Sequence, residues 1–344
     1  MSASAVTEPA EADSVRESHA AAFRIAFAAA MGLTLGELLG WDFPFLPAML
    51  AVQLLSGREP LGVKKGVAFV GVMAAACAFA VLLSQILVDS PLVLILAVSL
   101  VTFLAFLLLA RGQATGVAAM FLITTAVVPL LAIESVSVAY GFIYSLIAGS
   151  ALAVLLTFAA QAFFPMRAPA EPASAPEQQE RDVVALALAN AAVLMSLVIY
   201  FMLTVSPVSI VAVLTVISIL RQPADLGGGT ATGLILGNVV GGLAATAAYL
   251  LITLLPSPAF LLLVVLLVGL LFGGGIARGG QSAPIYTVGL MTFLILLGLG
   301  LSPLPQDSGT LFVARVFDVM VAAIYAIGMA SVLHWAFRRG ASIL

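Results

Sequence analysis

Three ionisable residues of this 344-residue chain lie inside long apolar runs: Glu37, Arg315 and Asp318. An ionisable group at membrane depth is costly, and where it persists it marks a route for ions, protons or charged substrates. Arg315 and Asp318 are three positions apart, which puts them on one helix face, where they can pair. A cation there can attract an anionic substrate. A desolvated carboxylate at Glu37 or Asp318 can hold and release a proton. The same three residues also suit a structural clamp between the first and last apolar segments. Both readings stand on the sequence.

Other chemistry finds little support. The two histidines are His19, in the N-terminal tail, and His334, beside Trp335, where an interfacial anchor is the simpler role. Serines and threonines are scattered through apolar runs with no base to activate them, so an enzyme is not expected. The single cysteine, Cys77, excludes a disulfide framework and a cysteine metal site. No metal or cofactor is implied. Without a basic stripe, nucleic acid is not a partner.

The elements that must position the charges follow from composition. Hydrophobic residues make up 63% of the chain and charged residues 8%, with a net charge of −3 and a mean hydropathy of +1.22. A soluble domain carries about a quarter charged residues. The chain therefore reads as an all-α integral membrane protein. A span needs about 20 apolar residues, and polar or Pro/Gly punctuation divides the chain into twelve candidates: 20–40, 43–57, 64–88, 91–110, 114–133, 137–164, 182–203, 206–220, 228–255, 258–276, 282–301 and 310–337. Continuous apolar runs favour helices over the alternating strands of a barrel.

Residues 1–19, with Glu8, Glu11, Asp13 and Glu17, read as a disordered cytoplasmic tail. With the N-terminus inside, twelve of the 13 basic residues fall on cytoplasmic ends: Arg16, Arg24, Arg58, Lys64, Lys65, Arg111, Arg167, Arg181, Arg221, Arg278, Arg338 and Arg339. The outer loops hold Asp42, Asp89, Glu134 and Asp307. The distribution follows the positive-inside rule, Arg315 alone departing from it, and puts both termini in the cytoplasm.

The chain also repeats. Pro44 to Pro60 and Pro207 to Pro223 have the same spacing, each second proline follows an arginine by two residues (Arg58, Arg221), and the same shift carries Gly66 onto Gly229. Ala110-Arg111-Gly112 matches Ala277-Arg278-Gly279. The expected architecture is two parallel six-helix repeats, 20–165 and 182–338, joined by a Pro-rich cytoplasmic linker at 166–181, with a cytoplasmic end at 339–344. The second span of each repeat, Pro44–Gly57 and Pro207–Leu220, is short: about 21 Å against a hydrocarbon core of about 30 Å. Such helices suit the lining of a central cavity, with Gln53 and Asn238 as lining candidates. Gly229, Gly233, Gly237 and Gly241 recur every four residues and form a face for close helix packing. Gly273-Gly274-Gly275, ahead of Arg278-Gly279-Gly280, reads as a flexible interfacial turn; it lacks the Lys-Ser/Thr ending of a phosphate loop.

Together these marks resemble the fusaric acid resistance superfamily, also called the aromatic acid exporter group. The likeness rests on the Pro-led short helix running into Arg-x-Pro and a Gly-containing helix (Pro44…Arg58-Glu59-Pro60…Gly66; Pro207…Arg221-Gln222-Pro223…Gly229), the Arg-Gly after each fourth span, and Arg315-x-x-Asp318. It implies a bacterial inner-membrane exporter of aromatic or other organic anions, with proton coupling and a periplasmic membrane-fusion adaptor as partner. Arg315 and Asp318 match the family's sixth-span pair. A passive anion channel and a non-transport scaffold for an adaptor are the alternative functions. Long apolar faces allow self-association into a homo-oligomer.

Overall fold

A computed structural model describes the backbone of residues 7–57, 60–87, 89–166, 180–204, 210–222, 228–280, 282–302 and 310–341, and the side chains of 16–57, 60–87, 89–166, 183–204, 210–222, 233–280, 282–302 and 317–332. These residues form twelve α-helices and no strand: α1 (Thr7–Leu38), α2 (Phe45–Leu55), α3 (Val63–Leu87), α4 (Pro91–Ala110), α5 (Thr115–Glu134), α6 (Val136–Phe163), α7 (Glu180–Leu203), α8 (Ile210–Leu220), α9 (Gly228–Leu254), α10 (Pro258–Arg278), α11 (Ala283–Leu301) and α12 (Thr310–Ala341). Local chemistry explains several boundaries. α4 and α10 each begin on a proline, whose missing N–H is one of the unsatisfied donors at a helix start. The repeated Arg-Gly ends them: Gly112 and Gly279 take positive φ values of +65° and +69°, Gly279 with ψ −156°, backbone conformations that glycine adopts without a Cβ penalty.

Three expectations change. The tail drawn over 1–19 is helical from Thr7, because its alanines and glutamates are good helix formers that extend the first span. Gly273–Gly275 lies within α10 rather than in a flexible turn; hydrogen bonding in a membrane helix tolerates glycine where a neighbour packs on it. Of the twelve expected spans, nine among the described residues are long and apolar enough to cross a membrane; the described apolar stretch of α12 covers only Phe317–Val332, and the two helices α2 and α8 are short. Each has 11 residues, about 16 Å of helix. The linker at 167–179 and the end at 342–344 lie outside the described residues.

Burial sorts the helices into two layers. α2 and α8 are buried over nearly all of their surface, and α5 and α11 over most of theirs. α3, α4, α9 and α10 expose much of theirs. Leu92, Leu96, Leu100 and Leu104 on α4 and Leu263, Leu267 and Leu271 on α10 form exposed stripes at four-residue spacing. That much outward leucine suits contact with lipid tails. The most extensive seam joins α1 to α10, and the same kind of seam joins α4 to α7. The central helices meet through α2 with α11 and α5 with α8.

The bundle has two ends. At one, Arg24 of α1 donates to the Phe164 and Pro165 carbonyls beyond α6 (3.1 Å each) and pairs with Glu17 at 2.9 Å. The arginine thus satisfies carbonyls that a helix end leaves without partners. At the other, the Ser302 hydroxyl beyond α11 donates to the Asp42 carbonyl at 2.6 Å.

Small residues set how closely the helices approach. A Cβ built at Gly269 or Gly273 of α10 would lie 2.9 Å from the Ala26 Cα or 3.0 Å from the Ala22 carbonyl of α1. On α9, a Cβ at Gly237 would lie 2.6 Å from the Ile285 carbonyl oxygen, and one at Gly241 would collide with that of Gly289, both on α11. These contacts involve backbone, which cannot step aside. Gly241→Ala is expected to lower stability by about 1–3 kcal/mol through overpacking. Gly71→Ala on α3, where a Cβ meets nothing within 4 Å, is expected to leave it unchanged or raised. Thermal unfolding of both variants in detergent checks the contrast.

Candidate functional site

At the Asp42 end, α1 closes with a paired backbone cap: Gly40 N–H donates to the Glu37 carbonyl at 2.9 Å and Trp41 N–H to the Gly36 carbonyl at 3.1 Å. The chain can turn tightly there because Gly36 lies against Pro44, whose carbonyl oxygen a Cβ would meet at 2.5 Å. This fixes Glu37 in the last turn of α1, half-buried, with its Oε2 buried and without a hydrogen-bond partner among the described residues. One turn back, the buried Thr34 Oγ1 likewise lacks a partner. The helix dipole is negative at this end, so a bare carboxylate has little local support. Asp42 follows on the connecting segment, its Oδ2 lying against Gly141 of α6.

Glu37 and Asp318 sit on helices whose neighbours largely differ. α1 packs against α2, α6, α10 and α11, whereas α12 packs against α7, α8, α9 and α11. Among the described residues, no seam joins α1 to α12, so Glu37 and the partly buried Asp318 belong to different neighbourhoods. The Arg315 side chain lies outside the described residues.

Asn238, expected to line a cavity, is instead fully buried between α9 and α11. Its Oδ1 accepts from the Thr292 hydroxyl at 2.6 Å and its Nδ2 donates to the Leu234 carbonyl at 2.9 Å. The reason is its place beside the glycine stripe, which draws α11 too close for a cavity. Gly233, Gly237 and Gly241 all face α11; of the glycine set, Gly229 lies where side-chain surroundings are not described.

The other lining candidate, Gln53, meets a residue that sequence reasoning assigned to orienting the chain. Arg221, just beyond α8, donates from Nη1 to Gln53 Oε1 near the end of α2 at 3.3 Å. The two short helices, one from each half of the chain, therefore touch at their C-terminal ends through a cation and a neutral amide. Both side chains are half-buried. Asn190 of α7, itself buried, braces the same turn by donating to the Leu220 carbonyl at 3.3 Å. Among the described residues Arg221 has no carboxylate partner; the one ion pair there is Arg24–Glu17. The recurring Arg-x-Pro after each short helix was the available signal for Arg221. Its contact with Gln53 had none, since the Pro44/Pro207 spacing aligns position 53 with Val216, which is not an amide.

Residues 21–160 match the family described as "Protein of unknown function (DUF2955)", a stretch running from within α1 nearly to the end of α6. No curated protein and no solved structure matches the chain.

The Asn238–Thr292 pair supplies a test of packing against lining. Thr292→Val removes the donor to a buried amide oxygen and is expected to cost about 1–3 kcal/mol, whereas Asn238→Leu combined with Thr292→Val is expected to recover part of that loss. Chemical denaturation of the two variants measures the difference.

Proposed function

We propose that the protein is a secondary transporter of the bacterial inner membrane that exports small organic anions in exchange for protons. The observation that carries this reading is Glu37: a carboxyl in the last turn of a membrane-crossing helix with a buried, unpartnered oxygen. Intramembrane carboxyls of this kind mark proton routes. Protonation removes the charge that the low-dielectric site disfavours, so Glu37 can alternate between a loaded and an empty form as its access to water changes. Asp318 and Arg315 on α12 are the second candidates for coupling and for attracting the anion.

The architecture supports transport. The helix seams correspond when each helix is exchanged with the one six places along: α1–α10 with α4–α7, α3–α5 with α9–α11, α2–α6 with α8–α12, and α2–α11 with α5–α8. We read this as two six-helix repeats meeting around α2, α5, α8 and α11, with the route at their junction. Because each repeat has an even number of helices, both share one orientation. The positive-inside distribution then puts the Arg24 end in the cytoplasm. The likeness to the fusaric acid resistance superfamily points the same way and adds a periplasmic adaptor as partner.

In proteoliposomes, an imposed pH gradient is expected to drive benzoate accumulation by the wild type. Glu37→Gln is expected to lose at least tenfold of that gradient-driven flux while benzoate exchange without a gradient persists. Equal gradient-driven flux in folded Glu37→Gln protein sinks the proton role. Current-carrying benzoate flux that ignores the gradient in the wild type would instead identify a passive channel.

A further inference from the structure

We infer that the Arg221–Gln53 junction is a binding site for a carboxylate group, placed where the short helices of the two repeats meet. The proposal deepens the anion-transport reading and rests on it for the direction of travel, but not for the binding itself.

The donor inventory carries the argument. A guanidinium is always charged and presents five N–H groups in a flat fork. Here one of them reaches an acceptor, Gln53 Oε1, and among the described residues the others reach none. The Gln53 carboxamide uses its oxygen on Arg221, and its Nε2 donors have no acceptor among the described residues either. Among the described residues the junction is therefore a set of donors around one positive charge, with no acid to neutralise it. A half-buried cation in such a place is incomplete, and an anionic oxygen group completes it. The flat fork matches two carboxylate oxygens at once, and Gln53 Nε2 offers a further donor beside it. A cation that only oriented the chain would need neither a second half to contact nor a neutral amide aligned with it.

The surroundings agree with an organic anion. One turn back along each helix stand Met49 and Ile217, both buried and apolar. The charge therefore sits beside an apolar interior, as ligand sites combine a few polar groups with apolar surroundings. Asn190 holds the Leu220 carbonyl at the same turn, so the end of α8 that aims Arg221 is fixed from a third helix. Gln53 lies on a different repeat from Arg221, so any movement of the repeats against each other would open or close the pair. The site thus couples anion occupancy to the relative position of the halves.

The test uses the full chain in nanodiscs of phosphatidylcholine, titrated calorimetrically with benzoate, acetate, inorganic phosphate and chloride. Benzoate and acetate are expected to bind, with affinity falling at least tenfold in Arg221→Gln. Gln53→Glu is the sharper variant. It sets a carboxylate beside Arg221, so it is expected to match or raise the melting temperature while abolishing carboxylate binding. A purely structural Arg221 predicts the same rise in stability with binding untouched, and that result overturns the proposal, as does the absence of binding by all four anions in the wild type. If benzoate binding disappears when phosphatidylglycerol is included and inorganic phosphate binds as tightly as benzoate, a lipid headgroup is the occupant and the carboxylate site is also overturned. The two readings separate cleanly. Arg221-dependent binding without flux removes transport alone, and wild-type flux with binding unchanged in Gln53→Glu removes this site alone.

Discussion

Helix backbones in this protein touch one another, and most of its architecture depends on that closeness. In lipid, burying an apolar side chain gains little over leaving it against acyl chains, so helices associate through dispersion contacts and interhelical hydrogen bonds. Both require short distances. Gly237 and Gly241 on α9 meet the carbonyls of Ile285 and Gly289, and Gly269 and Gly273 on α10 meet Ala26 and Ala22 of α1. The first seam also positions Asn238 to receive the Thr292 hydroxyl, a polar contact that would be costly to leave unmade.

Those seams leave the centre to four helices that are mostly buried. Two are full-length, α5 and α11, and two are 11-residue pieces, α2 and α8. Prolines account for the short ones: Pro44 and Pro47 shape the start of α2, and Pro60 and Pro223 stand beyond the ends of α2 and α8. A helix that stops after about 16 Å cannot cross a hydrocarbon core of about 30 Å. Its end must fall within the protein. Polar residues at that end, Gln53 and Arg221, are consequently turned toward each other instead of toward lipid.

The charges illustrate how far a linear reading reaches. Glu37 stands out in sequence because it interrupts an apolar run, and the structure puts its Oε2 in a buried position without a partner among the described residues. Arg221 does not stand out. It follows an apolar stretch and precedes a proline, as an interfacial anchor does, and its sign obeys the positive-inside distribution. Arg24 reads the same way, yet it is 3% exposed and holds the end of α6 through two carbonyls. Positive residues near helix ends share one sequence signature whether they face headgroups, cap a neighbour or meet another side chain across the molecule.

Helix positions were legible because apolar continuity, Pro starts and Arg-Gly stops are local properties, encoded within a turn or two of each boundary. Membrane character followed from composition. What tertiary structure alone decided is adjacency. Sequence spacing placed Asn238 beside a glycine stripe, but only the approach of α11 shows that the stripe leaves no room for a cavity there. It suggested Glu37 and Asp318 as one group, whereas among the described residues the helices that carry them, α1 and α12, share only α11 as a neighbour. It gave no reason to join Gln53 to Arg221, 168 residues away. Contacts between distant segments depend on how whole helices fill space, and no local pattern records that.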